Sequence, residues 1–200
     1  MRKIVLSFLL LIAVNAFAQK ATLSFNTGLL VGTNVSRMNF NKTPVPPPPS
    51  PIATYFEPSL RIGLYTNLQF SNRFSLRNEY IFSQVKNLVR STNQQYKLSY
   101  VALPVLLACK LDKRISLQAG PELALLVSAS RKEDNVTKDI THDTEERSIG
   151  LLGGAAYAFS SHFSFHARYQ LGMNHIGIGQ RSNVSEFKLE QVQLLLQVGL

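Results

Sequence analysis

The stretch from Tyr96 to Ser128 reads YKLSYVALPVLLACKLDKRISLQAGPELALLVS, and it is the longest apolar region outside the N-terminus. The charged residues 112–114 divide it into two halves. Neither half has the roughly 18 uninterrupted apolar residues of a membrane-spanning helix, and Pro104 disfavours a helix in the first half. Apolar and polar residues alternate in the second half, which is the period of a β-strand. The stretch is therefore predicted to form a β-hairpin that turns at the charged residues.

The N-terminus has the three parts of a secretory signal peptide. Residues 2–3 are basic, residues 4–14 are mostly apolar, and residues 16–18 have the small-x-small pattern of a cleavage site. A chain of 200 residues is one domain by default. We therefore predict a cleaved signal peptide over residues 1–18 and a single exported domain over residues 19–200.

Charge and cysteine content exclude two classes of protein. Loss of Arg2 and Lys3 with the signal peptide lowers the formal net charge from +9 to +7, and the remaining basic residues are scattered. A nucleic-acid-binding protein would present a basic stripe, so no nucleic acid partner is predicted. Cys109 is the only cysteine, which excludes the internal disulfides of a small secreted scaffold.

Eight segments of alternating or apolar character follow the signal peptide, with no convincing helical stretch among them. The alternation is weaker in the fourth and sixth segments, where Leu98, Leu106 and Leu152 fall among the polar positions. The segments are long enough for tilted membrane strands, which need about 9–11 residues. They are Ala21–Thr33, Tyr55–Phe70, Phe74–Lys86, Tyr96–Leu111, Ile115–Ser128, Arg147–Phe159, Phe163–Asn174 and Phe187–Leu200.

The connections between these segments alternate between short and long. Keeping the apolar residues of paired strands on one face leaves three-residue turns, an ordinary hairpin solution, at 71–73, 112–114 and 160–162. The long polar connections are 34–54, 87–95, 129–146 and 175–186. This pattern predicts an all-β fold: an eight-stranded antiparallel up-and-down transmembrane β-barrel with short periplasmic turns and long extracellular loops.

A soluble barrel with a ligand inside is the alternative architecture, because alternation alone does not say which face points inward. The polar positions hold mainly Ser, Gly, Asn and Gln, whereas a water-facing surface usually collects Lys and Glu. Aromatic residues also gather near the strand ends, as in interfacial girdles. Phe70, Phe74, Phe159 and Phe163 would form one girdle; Tyr55, Phe56, Tyr80, Phe82, Tyr96, Tyr169 and Phe187 would form the other. Both observations favour the membrane barrel.

Two motifs resemble a known family. Residues 100–107, YVALPVLL, followed by residues 117–121, LQAGP, resemble the "YLxIPLLL" and "xAGP" hairpin of the outer membrane protein beta-barrel domain family, which includes PorT-like proteins. Residues 74–76 with Glu79 and Tyr80 resemble the third strand of that family. The resemblance implies an outer-membrane location for the whole mature chain, and an accessory role in protein secretion or envelope assembly as one function.

The predicted interior carries charged residues. A charge inside a narrow barrel is costly unless it is paired, so we predict an interior polar network with a structural role. A gated ion path is the alternative, but an eight-stranded lumen is just wide enough to be filled by side chains. The network residues are Arg61, Arg77, Glu79, Glu122 and Arg168, with Lys110 and His166 on the same inward face.

No catalytic, cofactor-binding or metal-binding residues are predicted. His162 and His166 lie four apart on a strand, about 13 Å, which is too far to share a metal. The acidic segment from Arg131 to Arg147 lacks the ligand spacing of a calcium loop and is interpreted as a solvated, mobile loop.

We therefore predict a non-enzymatic outer-membrane protein with a structural or surface-recognition role through its long external loops. The alternatives are the PorT-like secretion or envelope-assembly role, an outer-leaflet lipid-modifying enzyme and a narrow passive channel. The expected partners are outer-membrane lipid and, through the loops, envelope or secretion proteins. The oligomeric state is left open.

Overall fold

The computed structural model describes residues 23–39, 57–89, 94–133, 136–178 and 185–200. The predicted signal peptide and the proline-rich part of the first loop lie outside these residues. The described strands are β1 (Ser24–Asn39), β2 (Glu57–Gln69), β3 (Phe74–Val89), β4 (Gln94–Lys110), β5 (Ile115–Glu133), β6 (Val136–Asp139), β7 (Arg147–Ala158), β8 (Phe163–Gly172), β9 (Ile176–Ile178) and β10 (Ser185–Gly199).

Eight of these strands form a closed antiparallel ring in the order β1-β2-β3-β4-β5-β7-β8-β10, and β10 pairs with β1. Along the ring, each strand pairs with the next ring strand of the chain. The short strands β6 and β9 lie outside this order and pair with β5 and β10 at the long-loop end. The predicted eight-stranded up-and-down barrel is confirmed. Across the described ranges, no helix is both long enough and apolar enough to cross a membrane.

The three short turns share one hydrogen-bond pattern, which fixes the register of each hairpin. In the first turn the backbone N–H groups of Phe70 and Ser71 both donate to the carbonyl of Phe74, at 3.3 and 3.2 Å. The same pair of bonds closes the turns before Ile115 and Phe163. Because all three turns have three residues, the apolar positions of paired strands lie on one face.

The apolar positions face outward and the polar positions face inward. Leu60, Ile62 and Leu64 are about half exposed on the outer face of β2, whereas Ser59 and Arg61 are buried in the lumen. An exposed apolar belt around a closed barrel is the arrangement of a membrane protein, since closure removes every unpaired strand edge. This orientation is opposite to that of the soluble alternative.

The three leucines that weakened the alternation also face inward. Leu98, Leu106 and Leu152 are at most 1% exposed, so they occupy lumen positions that the polar pattern assigned to hydrophilic residues. The departures from alternation are therefore apolar side chains that are buried inside the barrel.

The strands run further toward the long loops than predicted. β1 continues to Asn39 and β5 to Glu133, which shortens the predicted connections at 34–54 and 129–146. Part of the acidic segment is folded: β6 pairs with the end of β5, and Ile140 is buried. The described part of this segment is solvated, as interpreted, but the interpretation as a loop is wrong, because local backbone pairing and the buried Ile140 hold it against the barrel.

One of the two predicted aromatic girdles is partly wrong, because two of its residues face inward. Phe70, Phe74, Phe159 and Phe163 are exposed around the short-turn end, as expected. Tyr80, Phe82 and Tyr169 also face outward, but Tyr96 and Phe187 are buried inside the barrel. Tyr55 and Phe56 lie outside the described residues.

Candidate functional site in the barrel lumen

Five charged side chains meet in the lumen although they come from four different strands. Each of these strands presents alternate residues inward, so Arg77 and Glu79 lie on the same face of β3. All five are buried, with at most 4% of each residue exposed. We call this group the ionic network; its members are Arg61 (β2), Arg77 and Glu79 (β3), Glu122 (β5) and Arg168 (β8).

Glu79 is the centre of the network. Arg168 donates from Nη1 to Glu79 Oε2 and from Nη2 to Glu79 Oε1, both at 2.7 Å. Arg77 donates from Nε to the same Oε1 and stacks over the Tyr65 ring, 4.0 Å from its centroid. Two-point Arg–carboxylate contacts are strong and directional, and strands β3 and β8 lie on different sides of the ring. Glu79 therefore ties two walls of the barrel together.

A second ion pair crosses the lumen separately. Arg61 Nη2 donates to Glu122 Oε2 at 2.9 Å, between strands β2 and β5, which are not neighbours in the ring. Both side chains are almost fully buried. This pair is a second brace across the barrel.

The network has more buried cations than anions. Three guanidinium groups face two carboxylates, and several of their N–H donors have no hydrogen-bond partner among the described residues. These donor atoms are Arg61 Nε and Nη1, Arg77 Nη2 and Arg168 Nε. Glu79 accepts hydrogen bonds from both Arg77 and Arg168, so the excess positive charge lies around this carboxylate.

His166 extends the network, because both of its ring nitrogens lie near polar side chains of the lumen. Nδ1 lies 3.2 Å from Arg168 Nη2, which can only donate, and 3.3 Å from Gln118 Oε1, which can only accept. Nε2 lies 3.0 Å from Ser164 Oγ and 3.0 Å from Gln197 Oε1, which also accepts from Arg77 Nη1 at 2.6 Å. The ring is therefore held among four polar side chains inside the barrel.

Lys110 shares the inward parity but lies outside the network. It sits at the end of β4, where its Nζ donates to Gln69 Oε1 at 2.8 Å, and it is exposed at the short-turn mouth of the barrel. His162 is also exposed there, in a turn. Within the described part of the chain, no three His, Cys, Asp or Glu side chains come close enough together to hold a metal ion.

At the long-loop end, the lumen is filled by an apolar cluster that the sequence did not predict. We call it the apolar cap; its buried members are Met38, Val85, Tyr96, Leu98, Ala129, Ile140, Ile176, Ile178, Phe187 and Leu189. One signal for it was present, because Phe187 and Leu189 share the parity of the inward-facing Gln191. Ile140, Ile176 and Ile178 come from the predicted connections 129–146 and 175–186, whose packing the alternation of the barrel strands does not predict.

The loop segments of the cap are held by their own hydrogen bonds. Ile140 N–H donates to the carbonyl of Ala129 at 2.9 Å, and Thr144 forms a bridge with Ile178. Hydrogen bonds from Thr141 lower the pKa of the exposed Asp139 carboxyl below its usual value. The described part of the external end is therefore an ordered extension of the barrel.

The comparisons with known proteins agree with this architecture. The family described as "Outer membrane protein beta-barrel domain" matches residues 17–177. Two solved structures share the fold. Neisserial surface protein A has a TM-score of 0.50 and 14% identity, covering 88% of this chain and 97% of that one. Ail, the attachment invasion locus protein of Yersinia pestis, has a TM-score of 0.51 and 11% identity, covering 88% of this chain and 98% of that one. No curated protein matches the chain.

Proposed function

The chain belongs to the outer membrane protein beta-barrel domain family, and from this premise we propose that it is a non-enzymatic surface protein whose ordered external end recognises a partner. In this proposal the barrel anchors the external end in the outer membrane. The ionic network has a structural role, as a brace that holds the barrel in shape.

The observation that carries this proposal is the closure of the lumen. The ionic network crosses the barrel in its middle, and the apolar cap fills the long-loop end with side chains such as Phe187 and Leu189, which are at most 2% exposed. A transported solute would have to break buried ion pairs and displace packed apolar side chains. This arrangement supports a protein that acts through its surface and opposes the passive channel.

The described part of the external end contains regular backbone pairing, which favours recognition. Strand β5 extends to Glu133 and pairs with β6, whose four residues are all exposed. A preorganised hairpin loses less conformational entropy on binding than an unstructured loop does.

Site-specific crosslinking in intact cells tests the proposal. A photoreactive residue at Lys138, exposed on the external strand β6, is expected to form a discrete adduct. The matched control is the same residue at Arg73, exposed in a short periplasmic turn. Adducts only at Arg73 would overturn surface recognition and support the accessory role in secretion or envelope assembly.

Conductance measurements test the closed lumen directly. The purified barrel in a planar bilayer is expected to show no regular single-channel steps. Regular steps in the wild type that grow larger in Phe187→Ala, which removes a side chain that fills the lumen, would support the channel alternative.

A further inference from the structure

A cavity of about 360 Å³ lies in the lumen at the short-turn end. Its rim includes the turn residues Lys113 and Arg114, and its inner end is formed by Arg77, His166 and Gln197. The ionic network closes it on the far side. The cavity is therefore a blind vestibule that opens toward the periplasm, and it is large enough for a small ligand, since such sites begin at about 300 Å³.

The charge of the vestibule is strongly biased. Its lining includes four basic side chains and one acidic side chain: Arg77, Lys110, Lys113, Arg114 and Asp112. The rest of the lining is mostly neutral and polar, with several Ser, Asn and Gln side chains. Low-dielectric walls focus the field of such a set of charges and raise the local concentration of anions.

Arg77 connects this field to a buried, unpaired donor. Its Nε binds Glu79, its Nη1 binds Gln197, and its buried Nη2 has no hydrogen-bond partner among the described residues. Glu79 is shared with Arg168, so two guanidinium groups have one carboxylate between them. A buried cation without its own counter-charge is unfavourable, and an anion in the vestibule would relieve that cost.

We propose that the vestibule is a binding site for a small periplasmic molecule that carries an oxyanion, a phosphate or a carboxylate. Arg77, which lines the inner end, supplies its guanidinium charge to the oxyanion there, while Lys110, Lys113 and Arg114 attract it at the rim. Charge-assisted hydrogen bonds to a guanidinium suit both kinds of oxyanion. This site lies at the opposite end of the barrel from the surface of the proposed function and is independent of it.

Calorimetric titration of the full-length folded barrel with inorganic phosphate, and separately with succinate, tests the site. Saturable binding of either probe supports it, and the tighter probe identifies the class of ligand. Arg77→Gln is expected to weaken binding about tenfold or more, because it removes the buried charged donor. Lys110→Gln combined with Lys113→Gln should weaken it about fivefold, since each exposed charge contributes little.

The control is Lys132→Gln, which removes one exposed lysine at the external end and should leave binding unchanged. Heat-modifiable gel migration verifies that each variant is folded. If Arg77→Gln does not fold, the double lysine variant decides the result, because both lysines are exposed. The proposal is overturned if neither probe gives a saturable isotherm, or if the folded variants bind as tightly as the wild type.

Discussion

In the middle of the barrel the lumen holds arginines, glutamates and neutral polar side chains, whereas toward the long loops it is packed with isoleucine, leucine and phenylalanine. The first region depends on directional pairs such as Arg168–Glu79. The second depends on the burial of apolar area and needs no exact partner for any one side chain. The comparison shows that one narrow barrel is closed by two different kinds of interaction.

The two regions should therefore fail differently. Removing one partner of the ionic network leaves a buried charge, whose cost exceeds the value of the lost contact. Removing an apolar side chain from the cap leaves a cavity that its neighbours can partly fill. The predictions below test this difference, from the largest expected effect to the smallest.

Glu79→Leu should be the most damaging single change, because it strands both Arg77 and Arg168. We expect the free energy of unfolding to fall by about 5 kcal/mol, the upper end for a broken buried ion pair. Urea unfolding in lipid vesicles, followed by far-UV circular dichroism because the chain has no Trp, measures it. The control is Glu133→Leu at the exposed Arg131–Glu133 pair, which should change stability by about 0.5 kcal/mol or less. Equal losses of stability in both variants would show that buried Glu79 contributes no more than the Arg131–Glu133 pair does.

Phe187→Ala should weaken the apolar cap by about 4 kcal/mol, in the range found for buried Phe. The same unfolding assay measures it, with Phe165→Ala on the outer face of β8 as the control. Phe165→Ala leaves no internal cavity, so its loss of stability should be clearly smaller than that of Phe187→Ala. A cap that contributes nothing to stability would give the two variants the same unfolding curve.

Glu122→Leu should cost about 3 kcal/mol, less than Glu79→Leu because only Arg61 loses its partner. Adding Arg61→Met should restore most of the stability, since an apolar pair of similar volume often replaces a buried ion pair without loss. A double variant as unstable as Glu122→Leu alone would show that Arg61 does more than balance this charge.

Thr141→Val should have the smallest effect on stability, confined to the external end, where it also removes the acceptor of the Ala129 N–H. Hydrogen bonds from Thr141 lower the pKa of Asp139, so losing the hydroxyl should raise this pKa toward its ordinary value. With a lowered pKa, the contact is stabilising above the pKa of the unfolded chain and is lost as the pH falls through the lowered value. Carbon-13 NMR of the carboxyl measures it. Thr137→Val, on exposed β6, is the control and should leave the pKa unchanged.

Much of the fold could be predicted, because a period of two and the lengths of the connections are local properties. The turn around Asp112 and the outward face of β2 both followed from them. The strand ends at Asn39 and Glu133 could not be predicted in this way. Whether polar residues near a loop join a strand depends on which backbone lies beside them in the folded chain. The folded part of the acidic segment was mistaken for the same reason.

The sequence by itself determined the closed barrel, its apolar outer face and the identity of the charged residues that face inward. Only the tertiary structure decided that Glu79 is shared by Arg77 and Arg168, that Arg61 reaches Glu122, and that loop isoleucines fill the external end. The physical reason is distance along the chain. Alternation fixes the side of a strand on which a residue lies, but a contact across the lumen depends on the register and stagger of strands that are not neighbours.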